Sequence, residues 1–356
     1  MGRHHAENLR RLVPEARLVA IADVAHDRAR QTAEELEIER YFSSIEEMLA
    51  CKEIDALLIA VPDKFHARVI EAAAAAGKDM LCEKPLAINR ADAQQALKAV
   101  AKAGVRLQVG FMRRYDPAYA AAMKRIEAGE IGDPVLFKSL GRDRDVPPLS
   151  AYQSNINGML FYTNTIHDFD LARWLMHDEV IEAQAYTTVA TRPELAQYGD
   201  IVAGVVNLKF SHGAIGNVDS YAQAIYAYDV RTEIVGSKGS IFVGRIDKTP
   251  VTFLSAAGGT SVLADHFLSR FADAYLAEVR DFVHNMLHDH PPRVTGEDGM
   301  RALEIAIAAE ESTCRVGLVP SRGDRELLPA AESRPVLDRP CTNIGTAGAR
   351  IGGRYQ

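Results

Sequence analysis

Cysteine is scarce in this chain: Cys51, Cys82, Cys314 and Cys341 are the only four in 356 residues, and they form no CxxC pair and no zinc-like Cys/His spacing. That excludes a disulfide scaffold and structural zinc, and it predicts a reducing, cytoplasmic compartment. No apolar run approaches the ~18 residues of a membrane span, and the opening MGRHHAENLRR has no hydrophobic core of the kind a signal peptide needs. A soluble protein is expected. Positive charge is not in excess either: 41 Lys and Arg against 48 Asp and Glu give a net charge of −7, which argues against nucleic acid or an anionic membrane as the main partner. Internal repeats are missing too. What is present is an ordinary globular composition, 47% hydrophobic and 25% charged, in a chain long enough for two domains with a core each.

The first third alternates short apolar runs with longer helical patterns, the order that a parallel sheet with crossover helices requires. Helices are predicted at 3–12, 26–36, 45–50, 65–76 and 90–103, and strands at 18–22, 55–61, 79–82 and 105–109. Ser44 with Glu47 forms a capping box, Gly77 and Gly104 stop helices, and Pro62 and Pro85 stop strands. This is an α/β pattern, an N-terminal doubly wound (Rossmann-type) domain over residues 1–115. Residues 116–318 change texture: a helix at about 117–128, a strand at 134–140, the polar rim GRDRDVPPLSAYQSNING, and a helix at 166–176. Strands then run from Val180 to about Phe253, with turns at Ser211-His212-Gly213 and Ser237-Lys238-Gly239, and helices follow at 270–287 and 297–313. The second domain is therefore read as α+β with a large, mainly antiparallel open sheet. Residues 319–356, rich in Pro, Gly and Arg without periodicity, are expected to form a poorly structured tail.

Asp23 ends the strand 18–22. A carboxylate at the tip of the second strand of a dinucleotide fold accepts hydrogen bonds from the adenosine ribose and repels a 2′-phosphate, so it selects NAD over NADP. Gly2 lies 21 positions upstream at the start of a helix, where the last glycine of G-x-G-x-x-G belongs. On that spacing the first strand and the other two glycines fall before residue 1. The domain is thus expected to lack its first strand as given, with translation starting roughly 8–14 residues upstream.

Val61-Pro62-Asp63-Lys64-Phe65-His66 and Gly77-Lys78-Asp79-Met80-Leu81-Cys82-Glu83-Lys84-Pro85 each end a buried strand, on the edge where open α/β sheets bind ligands. Further segments add to them: Gln108-Val109-Gly110-Phe111-Met112-Arg113-Arg114-Tyr115-Asp116-Pro117, Tyr226-Ala227-Tyr228-Asp229, Glu233-Ile234-Val235-Gly236 and Asp298-Gly299. On these segments the chain resembles the Gfo/Idh/MocA nicotinamide-dependent oxidoreductases, and within them the inositol 2-dehydrogenase branch, over about residues 1–318. The tail is not accounted for by the family core.

The resemblance implies NAD as cofactor, no metal, and Gly2, Asp23, Val61, Pro62, Asp63, His66 and Glu83 on the cofactor side. It implies that Lys84 reaches the substrate beside the nicotinamide. A desolvated ammonium suits that place, because it donates hydrogen bonds and stabilises developing alkoxide charge. In the family a His acts as general acid/base with an Asp four residues earlier; His167 matches the His, whereas Thr163 stands where the Asp belongs. A hydroxyl orients an imidazole without stabilising its charged form as a carboxylate does, so either His167 is a weaker base or Lys84 takes a larger share. Thr163, Asn164, Arg114 and Tyr228 are the expected substrate-side residues, with interdomain packing as the other role open to Arg114 and Tyr228. Asn157 and Gly158 depart from a family Gly pair, and Asp170 is expected to brace its helix.

The activity expected is NAD-dependent oxidation of a ring hydroxyl of a cyclic polyol, myo-inositol to the 2-keto product in particular. A homo-oligomer built through the C-terminal sheet is expected with it. Two rivals stay open: another sugar dehydrogenase or reductase, and a catalytically silent sugar- or nucleotide-binding protein.

Overall fold

A computed structural model of the chain describes residues 1–144, 147–154, 160–244, 247–256, 258–313 and 349–350. The N-terminal half runs α1 (Gly2–Leu12), β1 (Ala20–Ala22), α2 (His26–Glu35), β2 (Arg40–Phe42), α3 (Ile45–Ala50), β3 (Ala56–Ile59), α4 (His66–Ala75), β4 (Asp79–Glu83), α5 (Arg90–Ala103) and β5 (Leu107–Gly110). Two of the helix starts, those of α3 and α5, have a local cause. The Ser44 hydroxyl accepts from the Glu47 amide at 3.2 Å while the Glu47 carboxylate accepts from the Ser43 amide at 3.3 Å, and Asn89 accepts from Asp92 N at 2.9 Å. Gly104 ends α5 at φ 67°, a conformation that costs glycine nothing.

Every pairing among these five strands is parallel. β1 pairs with β2, and β3, β4 and β5 form a second ladder in which Leu57 faces Met80 and Met80 faces Leu107. The two ladders are not hydrogen-bonded to each other, and residues of β1 and β3 line one cavity. β2 was not foreseen from the sequence: Arg-Tyr-Phe offers no buried alternation, and the strand exists through backbone pairing to β1.

Beyond β5 come α6 (Pro117–Glu127), β6 (Pro134–Arg142), α7 (Leu149–Ser154), α8 (Ile166–Met176), β7 (Val180–Thr188), β8 (Ala203–Phe210), β9 (Ile215–Tyr221), β10 (Asp229–Gly236) and β11 (Ser240–Gly244). The hairpin β12 (Asp247–Ser255) and β13 (Gly258–Leu263) follows, then α9 (Phe267–Arg270), α10 (Ala272–Leu287), α11 (Gly296–Thr313) and β14 (Ala349–Arg350). The large sheet has the order β11-β10-β6-β9-β8-β7-β14, antiparallel except for the parallel pair β6–β9. β8 shows how it is layered. Gly204, Val206, Leu208 and Phe210 are buried on the inner face, and Val205, Asn207 and Lys209 are exposed on the other. Gly204 is required there, since a Cβ would stand 2.9 Å from the Phe161 ring.

The helix expected at 270–287 is divided at Phe271 into α9 and α10. Of the segment expected to be an unstructured tail, Ala349–Arg350 pairs with β7, and its other residues lie outside those described. Among the described residues no helix is long and apolar enough to cross a membrane.

Candidate active site

A cavity of about 1400 Å³ opens at the C-terminal ends of β1, β3 and β4 and reaches the inner face of the large sheet. At one end stands Asp23, just past β1. Arg28 donates to both of its oxygens, at 2.5 and 2.6 Å, and the Ala25 amide donates at 2.9 Å. Burial works against the charged carboxylate, but the Arg28 and Ala25 bonds outweigh it and hold Asp23 below the usual carboxylate range. Gly2 begins α1 on the same wall, where a Cβ would lie 3.7 Å from Ala60, and helix N-terminal amides favour an anion. Val61, Pro62 and Asp63 line the wall after β3. The buried His66 ties two loops together, with its ring nitrogens 2.9 Å from Val61 O and 2.6 Å from Pro85 O.

Glu83 lines the cavity as expected, yet its carboxylate is engaged from behind: Oε1 lies 2.6 Å from Nε2 of the buried His5 on α1. Burial raises Glu83, and His5 and Lys84 pull it back below the ordinary value, so it is an anion inside the fold. Lys84, the next residue, lies just past the end of β4 and lines the same cavity. Its Nζ donates to the backbone carbonyl of Thr163 at 2.7 Å.

Thr163 belongs to a turn of π-helix, Leu160–Thr165, that feeds α8. Its hydroxyl donates to Asn164 Oδ1 at 2.8 Å, and Asn164 Nδ2 donates to Asp143 Oδ2 at 3.2 Å. His167 follows in the first turn of α8, buried and edge-on to Phe111 at 5.9 Å between centroids. Burial first, then the charges of Arg113 and Lys84, push its pKa well below the ordinary imidazole value. The ring is therefore neutral near pH 7.

Arg114 corrects the sequence reading. It does not face the cleft: it forks onto Asp170 at 2.8 and 2.5 Å, reaches Asp298 at 3.0 Å and lies over the Trp174 ring. The 3-10 turn Met112–Tyr115 sends adjacent side chains in different directions, and it is Arg113 that lines the cavity. Arg113 donates to Asp168 Oδ1 at 2.7 Å, and Tyr228, also buried, lines the same cavity. Asp170 braces α8 as expected, through Arg114, and Asp298 joins α11 to the same ion cluster. Room for Asp168 comes from Gly141, whose Cβ would stand 2.8 Å from Asp168 Oδ2. Asn157 and Gly158 lie outside the described residues.

Arg113, Asp143 and His5 were not singled out for the roles they occupy here. Arg113 was one residue away, and no sequence signal gives the phase of a 3-10 turn. Asp143 sits in a polar stretch where every charged residue reads as solvated, and the Glu83 contact of His5 spans 78 positions. Among the described residues no group of three His, Cys, Asp or Glu side chains is placed to hold a metal.

The family model described as the oxidoreductase family, NAD-binding Rossmann fold, matches residues 1–111, and its companion C-terminal alpha/beta domain matches 123–315. The scyllo-inositol 2-dehydrogenase (NAD(+)) of Bacillus subtilis is 38% identical over 88% of this chain and 91% of that protein. The myo-inositol 2-dehydrogenase of Thermotoga maritima is 38% identical over 88% of this chain and 93% of that one. Among solved structures, scyllo-inositol dehydrogenase from Lactobacillus casei with bound NAD(H) and scyllo-inositol superposes with a TM-score of 0.83 at 30% identity, covering 87% of this chain and 93% of the other.

Proposed function

The chain belongs to the Gfo/Idh/MocA oxidoreductases, and from that premise we propose that it oxidises a ring hydroxyl of a cyclic polyol with NAD, myo-inositol to the 2-keto product in particular. One observation carries the reading: Asp23, Lys84 and the neutral His167 line a single cavity, a ribose anchor at one end and an ammonium beside a base at the other. The residues present fit a dinucleotide. Asp23 suits the ribose hydroxyls, the amides opening α1 suit a pyrophosphate, and Val61 to Asp63 form the wall between them and Lys84.

When bound, NAD supplies the hydride acceptor. His167 accepts the hydroxyl proton, and Lys84 donates a hydrogen bond to the oxygen as it gains negative charge. Arg113 and Tyr228, which line the same cavity, present donors to the remaining hydroxyls.

Initial rates on inositols and pyranoses, each with NAD and with NADP, test this. Turnover is expected on inositols ahead of pyranoses, with NAD preferred because Asp23 accepts from the ribose hydroxyls, and with the preference softened by Arg28, which pairs with both Asp23 oxygens and offers a 2′-phosphate a guanidinium. NAD binding in calorimetry without turnover on any polyol would replace the proposal by a silent binding protein. The reading includes a cytoplasmic location, in keeping with the free thiols of Cys51 and Cys82. It also includes a homo-oligomer through the open face of the large sheet, supported by the exposed apolar residues Tyr186, Val205, Ile215 and Phe242. A monomer mass in light scattering at micromolar concentration would overturn that part.

A further inference from the structure

Glu83 and Lys84 are neighbours of opposite charge, and a buried anion beside an ammonium ordinarily takes it as its partner. Here the two are held apart. Lys84 Nζ donates to the Thr163 carbonyl at 2.7 Å, and Glu83 Oε1 lies 2.6 Å from Nε2 of His5. An ionised carboxylate only accepts, so Nε2 carries the hydrogen and donates it. His5 comes from the first turn of α1, 78 positions away in sequence, and is 1% exposed. Its Nδ1 is buried without a partner among the described residues, which makes the Glu83 bond the one polar anchor of the ring.

The elements packed around Glu83 fix its place and its charge. From β5, a Cβ on Gly110 would stand 3.1 Å from Glu83 Oε2, so the glycine leaves room for the carboxylate. From α10, the Tyr275 ring meets His5 edge-on at 5.7 Å between centroids. Glu278, on the same helix, is buried with both carboxyl oxygens unpartnered among the described residues. Burial first, then the Glu83 charge, push Glu278 well above the ordinary carboxyl value, so of the two acids Glu83 keeps the charge. Against its own burial, Glu83 is held down by His5, then Lys84, then His66. His66 has both ring nitrogens on backbone carbonyls. Without His5, Lys84 is the cation left to pair with Glu83.

We propose, resting on the reading of Lys84 given above, that His5 is a positioning residue for it: by donating to the Glu83 carboxylate, His5 keeps that anion from capturing the ammonium, which stays free to face the substrate oxygen. An ammonium already neutralised by a carboxylate in the ground state has less to offer a charge that develops in the transition state. The same bond ties α1, whose opening amides suit a pyrophosphate, to the end of β4. The cofactor helix and Lys84 are thereby held in one register.

The test uses His5→Phe, which keeps the packing against Tyr275 and donates nothing, and His5→Asn, whose amide falls short of Glu83. Beside them stand His5→Gln, whose amide reaches as far as Nε2, and each of the first two combined with Glu83→Gln. Two quantities are read: the rate at which Lys84 of the cofactor-free protein reacts with acetic anhydride, followed by peptide mass spectrometry, and kcat on myo-inositol with NAD. Only the free amine reacts, so pairing with Glu83 slows the labelling. His5→Phe and His5→Asn are expected to label Lys84 about threefold or more slowly and to lose about tenfold in kcat. His5→Gln recovers both, and adding Glu83→Gln recovers the labelling rate with part of kcat, because a neutral amide cannot hold the ammonium. A merely structural loss is not repaired by removing the Glu83 charge. Labelling that is unchanged in the single variants, or equally slow in the double ones, therefore overturns the assignment; should His5→Phe fail to fold, His5→Asn decides by the same criteria. A parent protein inactive on every polyol overturns the reading beneath, and the labelling, which needs neither substrate nor cofactor, then decides the role of His5 by itself.

Discussion

Replacing Lys84 by alanine lowers turnover by about 10²-fold or more and leaves the melting temperature within a few degrees of the parent value. The two halves of that expectation have different physical sources. In the fold, Lys84 is half-buried at the end of β4 and donates to the Thr163 carbonyl at 2.7 Å. Losing such a bond costs about 1 kcal/mol, because water can enter the cavity and satisfy the carbonyl. In the reaction, the same ammonium faces oxygen charge that develops only in the transition state, and a fixed donor at that point is worth about 3 kcal/mol or more. Lys84→Arg should not rescue, since a planar guanidinium cannot occupy the place of a compact ammonium between Thr163 and the substrate. Steady-state rates beside a thermal scan check both halves. A variant that stays active removes Lys84 from the chemistry, and one that unfolds with its activity makes the residue structural.

How much of this was legible beforehand depends on how local the cause is. Caps such as Ser44 with Glu47 lie within four residues of their partners, so α3 and its neighbours could be placed from sequence to within a residue or two. The parallel order of β3, β4 and β5 also follows locally, from short apolar strands separated by helices. β2 escaped because three residues, Arg40 to Phe42, carry no periodic signal of their own. The site failed at one point for a related reason. Arg113 and Arg114 are chemically equal in sequence, and only partners 55 and 56 positions away, Asp168 and Asp170, decide which guanidinium is cavity wall and which is buried brace. Buried charges of this kind persist only when paired, so the pairing itself, visible in three dimensions alone, assigned the roles.

His167 carries the other large expectation, and its sign can be worked out from its surroundings. Burial, Arg113 and Lys84 all disfavour the imidazolium, so the folded pKa lies well below the ordinary 6.5 and the ring is a base across the neutral range. A buried neutral His contributes stability that is present above pH 6.5 and lost as pH falls below it, because the unfolded chain takes up the proton first. His167→Asn should therefore lower kcat by roughly 10²- to 10⁴-fold and flatten that acid-side loss of stability. Thr163→Asp is the complementary change. Thr163 stands one helical turn before His167, and a carboxylate there favours the imidazolium against Arg113 and Lys84, raising the pKa of the ring. The base must be neutral to act, so the acid limb of the kcat/KM profile should move to higher pH. Part of the new charge will be taken by Lys84, already bonded to the Thr163 carbonyl, which makes the displacement smaller than an isolated pair would give. An acid limb that does not move in Thr163→Asp, together with full activity in His167→Asn, would leave Lys84 as the group that handles the proton.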